Sequence, residues 1–209
     1  MTTHARIRHF IAALAAGGLA HGALAQEVTT QRLVNADKEP RNWLLPYGTY
    51  DARNHSSLRE INRTNVARLR VQFMHSVGGM NTATPTGAPP TFQATPVVNE
   101  GVMYVHNGWG QVLKVDLRNG RQGKTLWIND PKIENPGSMR GAVALHGNYL
   151  FHNSSGRNPR LFKVDTQSGA TVWDVSIAAP REEASDRSEE HTSELQSLAY
   201  LVCRLLLEK

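Results

Sequence analysis

Residues 161–173, Leu161-Phe162-Lys163-Val164-Asp165-Thr166-Gln167-Ser168-Gly169-Ala170-Thr171-Val172-Trp173, decide how this chain folds, because they repeat an earlier stretch. The first copy runs Val112-Leu113-Lys114-Val115-Asp116 and then Gly123-Lys124-Thr125-Leu126-Trp127. Lys-Val-Asp recurs, and a glycine stands four residues before the tryptophan in both copies. Each copy also has a strand-like opening, Gly101-Val102-Met103-Tyr104-Val105 and Gly147-Asn148-Tyr149-Leu150-Phe151. The first copy carries a small insertion near Asn119-Gly120-Arg121.

Equivalent positions lie in the high forties apart, the period of a propeller blade. Short runs rich in Val, Tyr, Phe and Leu alternate with Asn-Gly, Ser-Gly and His-Gly turns, which favour antiparallel hairpins. A four-stranded sheet cannot cover both of its own faces, so such units stack around an axis. The expected fold class is therefore all-β: an incomplete β-propeller of antiparallel four-stranded blades. Trp127 and Trp173, at a fixed place in each unit, are expected to pack between blades. Before the repeats, residues 62–69 read as a capped turn leading into a strand at Val71-Gln72-Phe73-Met74, and residues 78–90, rich in Gly and Pro, as a loop.

The chain has 209 residues, 40% hydrophobic and 20% charged, a globular rather than a disordered balance. Of its net charge of +5, Arg6 and Arg8 carry +2 and residues 187–209 carry −1, so the remaining +4 is spread thinly over Arg53, Arg59, Arg63, Arg68, Arg70 and others. A nucleic-acid surface would cluster those charges beside stacking aromatics, so no nucleic-acid partner is expected. The single cysteine, Cys203, lies near the C-terminus and leaves no disulfide or zinc–thiolate site in the body of the chain.

Both ends are expected to lie outside the fold. Residues 1–25 read as a Sec-type signal peptide: a start with Arg6 and Arg8, an apolar run Phe10–Ala20, and Ala23-Leu24-Ala25 before the cleavage point. The apolar run is shorter than the roughly 20 residues that span a bilayer, so no membrane span is expected. At the other end, Arg187–Ser197 and Leu201–Lys209 match two halves of a translated short-read sequencing adapter, with Leu198-Ala199-Tyr200 in the barcode position. Residues 187–209 are read as a non-native tail despite the helical stripe of Leu195, Leu198, Val202 and Leu205. That leaves residues 26–186 as the propeller portion.

Several ordered phrases resemble the N-terminal part of the pyrroloquinoline-quinone (PQQ) alcohol and methanol dehydrogenases. They are Arg32-Leu33-Val34-Asn35-Ala36-Asp37, Asn42-Trp43, Tyr47-Gly48, Leu58–Asn62, Ala94-Thr95-Pro96-Val97-Val98, Leu126-Trp127, Asp130-Pro131-Lys132, Arg140-Gly141 and Lys163–Trp173. The resemblance implies an eight-bladed, periplasmic quinoprotein that oxidises small alcohols with PQQ and a calcium or lanthanide ion and passes electrons to a cytochrome c. It implies that Arg140 contacts the quinone oxygens, a role suited to a permanently charged planar fork. Gln93 stands where the family usually has a glutamate facing PQQ. The family's vicinal cysteine pair would fall near Glu134-Asn135 and is absent. No catalytic or metal-ligating residue is assigned, since the family's own lie beyond Ser176, and this stretch alone is expected to be inactive. His55, His75, His106, His146 and His152 lack metal-ligand spacing. Alternatives are a non-catalytic propeller scaffold of the outer-membrane assembly type and a sugar-dehydrogenase relative.

Overall fold

The structure, a computed structural model, describes residues 26–78, 93–133, 140–154 and 159–177. The expected leader, the tail, the Glu134-Asn135 position and nearly all of the expected 78–90 loop lie outside the described residues.

Each repeat forms one antiparallel meander of four strands. The first blade comprises β2 (Val97–Asn99), β3 (Val102–His106), β4 (Val112–Asp116) and β5 (Lys124–Asn129), in that order. The second comprises β7 (Ala144–His146), β8 (Tyr149–Asn153), β9 (Arg160–Asp165) and β10 (Thr171–Ser176), again side by side in chain order. The β2–β3 turn is tight because Glu100 and Gly101 both take positive φ, 51° and 71°, matching the twist of the strands it joins. Burial falls from the inner strands outward: β3 is mostly buried, while β10 is exposed along its whole length.

The main core lies in the seam between the blades. Val97, Val102, Tyr104 and Val112 of the first blade meet Leu145, Leu150, Phe162 and Val164 of the second. Trp127 of β5 packs into this seam as the sequence led one to expect, its ring centroid 6.1 Å from that of Tyr104. Its indole Nε1 donates to the carbonyl of Thr166 at 3.1 Å. Lys114 Nζ donates to the same carbonyl at 2.7 Å, and Asn129 Nδ2 donates to Gly169 O at 2.9 Å and to Thr171 Oγ1 at 2.9 Å. The β9–β10 turn is thus the socket for the neighbouring blade's outer strand. Gly169, at φ 76°, makes room for it: a Cβ there would stand 2.7 Å from Trp127 Cδ2.

The N-terminal segment seals one end of both blades. A short helix α1 (Thr30–Val34), capped by the Thr29 side chain, was not anticipated from the sequence. It holds Arg32 in a buried position, where the guanidinium donates from Nε to Glu39 Oε1 at 2.9 Å and from Nη2 to Glu39 Oε2 at 2.6 Å. The same group reaches Asn99 Oδ1 at 3.0 Å and the carbonyl of Glu27 at 2.9 Å. Val28 pairs with Gly147, and Trp43 with Val98, so the segment grips the β7–β8 turn and strand β2.

Residues 62–69 form the expected capped turn: Asn65 Oδ1 accepts from the Asn62 N–H at 2.8 Å and a 3-10 turn follows at Val66–Arg68. Residues 71–74 do not form the expected strand. They run extended without a ladder, leaving Val71 and Met74 strongly exposed, because no described strand lies alongside to pair with them.

Crowding at the socket can be separated from backbone strain with two substitutions. Gly120 also has positive φ, but a Cβ there meets nothing within 4 Å. Gly120→Ala should cost about 1–2 kcal/mol, the left-handed penalty alone. Gly169→Ala should cost about 1–3 kcal/mol more, the overpacking against Trp127. Urea midpoints of the two variants check this, and equal losses would mean the socket is not tightly filled.

Candidate functional site

The inner strands have two ends, and only one is sealed by residues 26–45. At the other end, β1 (Gln93–Thr95) and β6 (Arg140–Ala142) pair in parallel, with Gln93 opposite Arg140, Ala94 opposite Gly141 and Thr95 opposite Ala142. Pro96 separates β1 from β2; it has no N–H to continue a ladder, so the chain can turn from one partner to the next. Each short strand leads into the innermost strand of its own blade. The β1–β6 pair therefore bridges the blades at the end away from residues 26–45.

The structure brings Gln93 and Arg140, the two candidate site residues from the sequence, into register on adjacent strands. Gln93 is exposed. An amide and a guanidinium at neighbouring positions offer N–H donors, and the guanidinium keeps its charge at any working pH. No group of three or more His, Cys, Asp or Glu converges among the described residues, so they supply no metal cage. A cleft of about 60 Å³ lies elsewhere, lined by Asp37, Trp43, Arg53 and His55 on the N-terminal segment.

Behind the β1–β6 pair the second strands carry polar groups that the sequence did not single out. Asn107, buried just after β3, donates from Nδ2 to Val77 O at 2.9 Å and to Gln111 Oε1 at 2.8 Å. Gln111 Nε2 in turn donates to Asp130 Oδ2 at 3.0 Å. The Lys132 ammonium, hydrogen-bonded to Asp130, holds that carboxyl below its ordinary range, with the Gln111 amide assisting. His106 and His152 are buried here as well, and His152 stacks on Phe162 at 4.7 Å between ring centroids. Burial, and secondarily the neighbouring His106, push the His152 imidazole down to about 3. The spacing of these histidines argues only against a metal site; their place in the apolar alternation of β3 and β8 is the sequence clue to their burial.

Residues 43–144 match the family model of the PQQ glucose/ethanol/alcohol dehydrogenase β-propeller domain. Over that stretch, just under half of its length, the chain resembles the PQQ-dependent alcohol dehydrogenases. It is 31% identical over 168 residues to the dehydrogenase subunit of a quinone alcohol dehydrogenase from Komagataeibacter europaeus, covering 76% of this chain and 20% of that one. It is 28% identical over 179 residues to subunit 1 of a cytochrome c methanol dehydrogenase from Methylobacterium organophilum, covering 79% and 27%. A solved quinohemoprotein alcohol dehydrogenase from Pseudomonas putida HK5 superposes with a TM-score of 0.57 at 25% identity, over 74% of this chain and 22% of that one. A europium-containing methanol dehydrogenase shares the fold, with a TM-score of 0.58 at 22% identity over 71% and 25%. The chain thus spans about a fifth to a quarter of the length of these relatives. Among the described residues no helix is long and apolar enough to cross a membrane.

The register predicts a measurable coupling. Gln93→Glu places a carboxylate opposite Arg140 and should stabilise the chain by about 0.2–1 kcal/mol at low salt, as opposite charges across a sheet do. A double-mutant cycle with Arg140→Gln should recover that energy, and 1 M NaCl should remove most of it. No coupling at low salt would contradict the pairing.

Proposed function

We propose that this chain is the front portion of a periplasmic quinoprotein dehydrogenase that oxidises small alcohols with PQQ and hands the electrons to a cytochrome c. The observation that carries this reading is the register of Gln93 with Arg140, on the strand pair that joins two blades, in a chain whose residues 43–144 match the PQQ dehydrogenase propeller model. Residues 1–25 serve as its signal peptide, residues 26–186 belong to the propeller, and residues 187–209 are the adapter-derived tail. The relatives named above are dehydrogenases, which favours this reading over a non-catalytic scaffold.

When bound, PQQ supplies the two-electron chemistry by accepting a hydride from the alcohol carbon. Arg140 would hold its quinone oxygens and favour the negative charge that reduction puts on them. Gln93 would add a neutral donor beside that charge, where a glutamate would add an acceptor and a like charge. Both strands continue directly into the inner strands of their blades. The calcium or lanthanide ion of the family would take its ligands from outside the described residues, and no step here depends on it.

The stretch 71–77 supports the view that further blades complete the ring. His75 Nε2 and Thr125 Oγ1 are hydrogen-bonded at 3.0 Å, and a Cβ on Gly123 would lie 2.8 Å from the His75 ring. Asn129 and Trp127 make the equivalent contacts to Thr171 and Gly169 on the second blade. Residues 71–77 therefore occupy the first blade's socket, as β5 occupies the second's, and act as the outer strand of a preceding blade whose other strands lie outside residues 26–177.

In the full-length protein, Arg140→Ala should weaken PQQ binding about ten- to hundredfold, the loss of a charge-assisted hydrogen bond. Equilibrium titration with PQQ, followed by its absorbance, checks this. Unchanged affinity would remove Arg140 from the cofactor site.

A further inference from the structure

Residues 26–45 carry no strand, and two short bridges tie them to the blades, one to each. Trp43 N donates to Val98 O at 2.8 Å and Val98 N to Trp43 O at 2.9 Å, on strand β2 of the first blade. Val28 N donates to Gly147 O at 3.2 Å and Gly147 N to Val28 O at 2.8 Å, at the β7–β8 turn of the second. Beside that turn Thr30 Oγ1 and His146 Nε2 are hydrogen-bonded at 3.1 Å. Between the bridges, Leu33, Leu44 and Leu45 lie in one core with Tyr104 of the first blade and Leu145 of the second. Their seat is made by both blades together, so it exists only once the blades have stacked.

Arg32 holds the segment in that seat. It is 8% exposed, and each nitrogen of its guanidinium is engaged. Within the segment, Nε and Nη2 donate to Glu39, and Nη1 donates to the carbonyls of Gln26 at 3.2 Å and Glu27 at 2.9 Å. Across to the first blade, Nη2 reaches Asn99 Oδ1 at 3.0 Å and Glu100 Oε1 at 3.5 Å. Asn99 Nδ2 donates back to Gln26 O at 2.6 Å, and Glu100 N donates to Asn42 Oδ1 at 2.8 Å. One fork therefore closes the segment on itself and fastens it to the blade. Without the fork, Glu39 and the two carbonyls lose their shared donor while the surrounding apolar contacts remain, and removing one partner of a buried pair costs more than the pair is worth.

We propose that residues 26–45 are a strap that closes over the base of the stacked blades as a unit of its own, with Arg32 as its clasp. Releasing the clasp lifts the strap from Val98 and Gly147 and uncovers Tyr104 and Leu145, while both four-stranded sheets stay paired. The strap therefore locks a blade pair that has already formed. This inference concerns the chain's own assembly and does not rest on the dehydrogenase reading.

Hydrogen exchange on the 209-residue chain tests it, because the amides of Val28, Trp43, Val98 and Gly147 each report a strap–blade bond. In Arg32→Met, which keeps an unbranched stem and removes the fork, those four amides should exchange about a hundredfold faster. Amides of the β3–β4 and β8–β9 ladders should stay within about threefold of the wild type. Equal acceleration of the ladders, or no acceleration at the four amides, overturns the proposal. Should the variant fail to fold, native-state exchange of the wild type in rising urea decides. Four amides that open together with a weaker urea dependence than the ladders support the strap, and four that open only with the ladders refute it.

Discussion

The seat of Trp127 on the neighbouring blade is the contact from which the rest of the described structure follows. A four-stranded meander has two faces and too little chain to cover either. The first blade covers one by sending its outermost ring across to the β9–β10 turn of the second, where Thr166 O receives the indole and Gly169 leaves room for it. The joint is directional: one blade gives a ring and the next receives it. Trp173, at the equivalent place in β10, is 36% exposed and meets Phe151 of its own blade at 6.2 Å. Units joined head to tail in this way generate a ring when their rotation closes.

That joint also sets the two blades in register. Because both blades start with an inner strand at the same height, β1 and β6 are brought side by side and their first residues meet. The opposite end is closed by the N-terminal segment, whose buried Arg32 is neutralised by Glu39 and reaches Asn99 in the turn region of the first blade. Glu39 accepts from that guanidinium, which lowers its own affinity for a proton despite partial burial. One end is therefore a tied-down base, and at the other β1 and β6 run side by side.

Much of this was legible in the residues. Strand positions followed from the Val- and Leu-rich runs and their turns, and the inter-blade role of Trp127 followed from its recurrence. Gln93 and Arg140 could be picked out by resemblance, but their register could not, since a parallel pair of three-residue strands leaves no periodic trace. Helix α1 escaped because five residues are too few for a helical stripe, and its Thr29 cap is a single hydroxyl. The strand expected at Val71–Met74 carried the right composition; a strand is a property of two segments, and its lateral neighbour is not among the described residues. The buried histidines escaped because the alternation that buries them reads equally well with any side chain that fits.

The source DNA read beyond the codon for Asp186 tests the central claim most directly. If these two units are wedges of a PQQ-type ring, the frame continues into further strand-rich units of the same period, each with a glycine four residues before a closing tryptophan. A natural stop after Lys209, or a continuation with no such units, would contradict it.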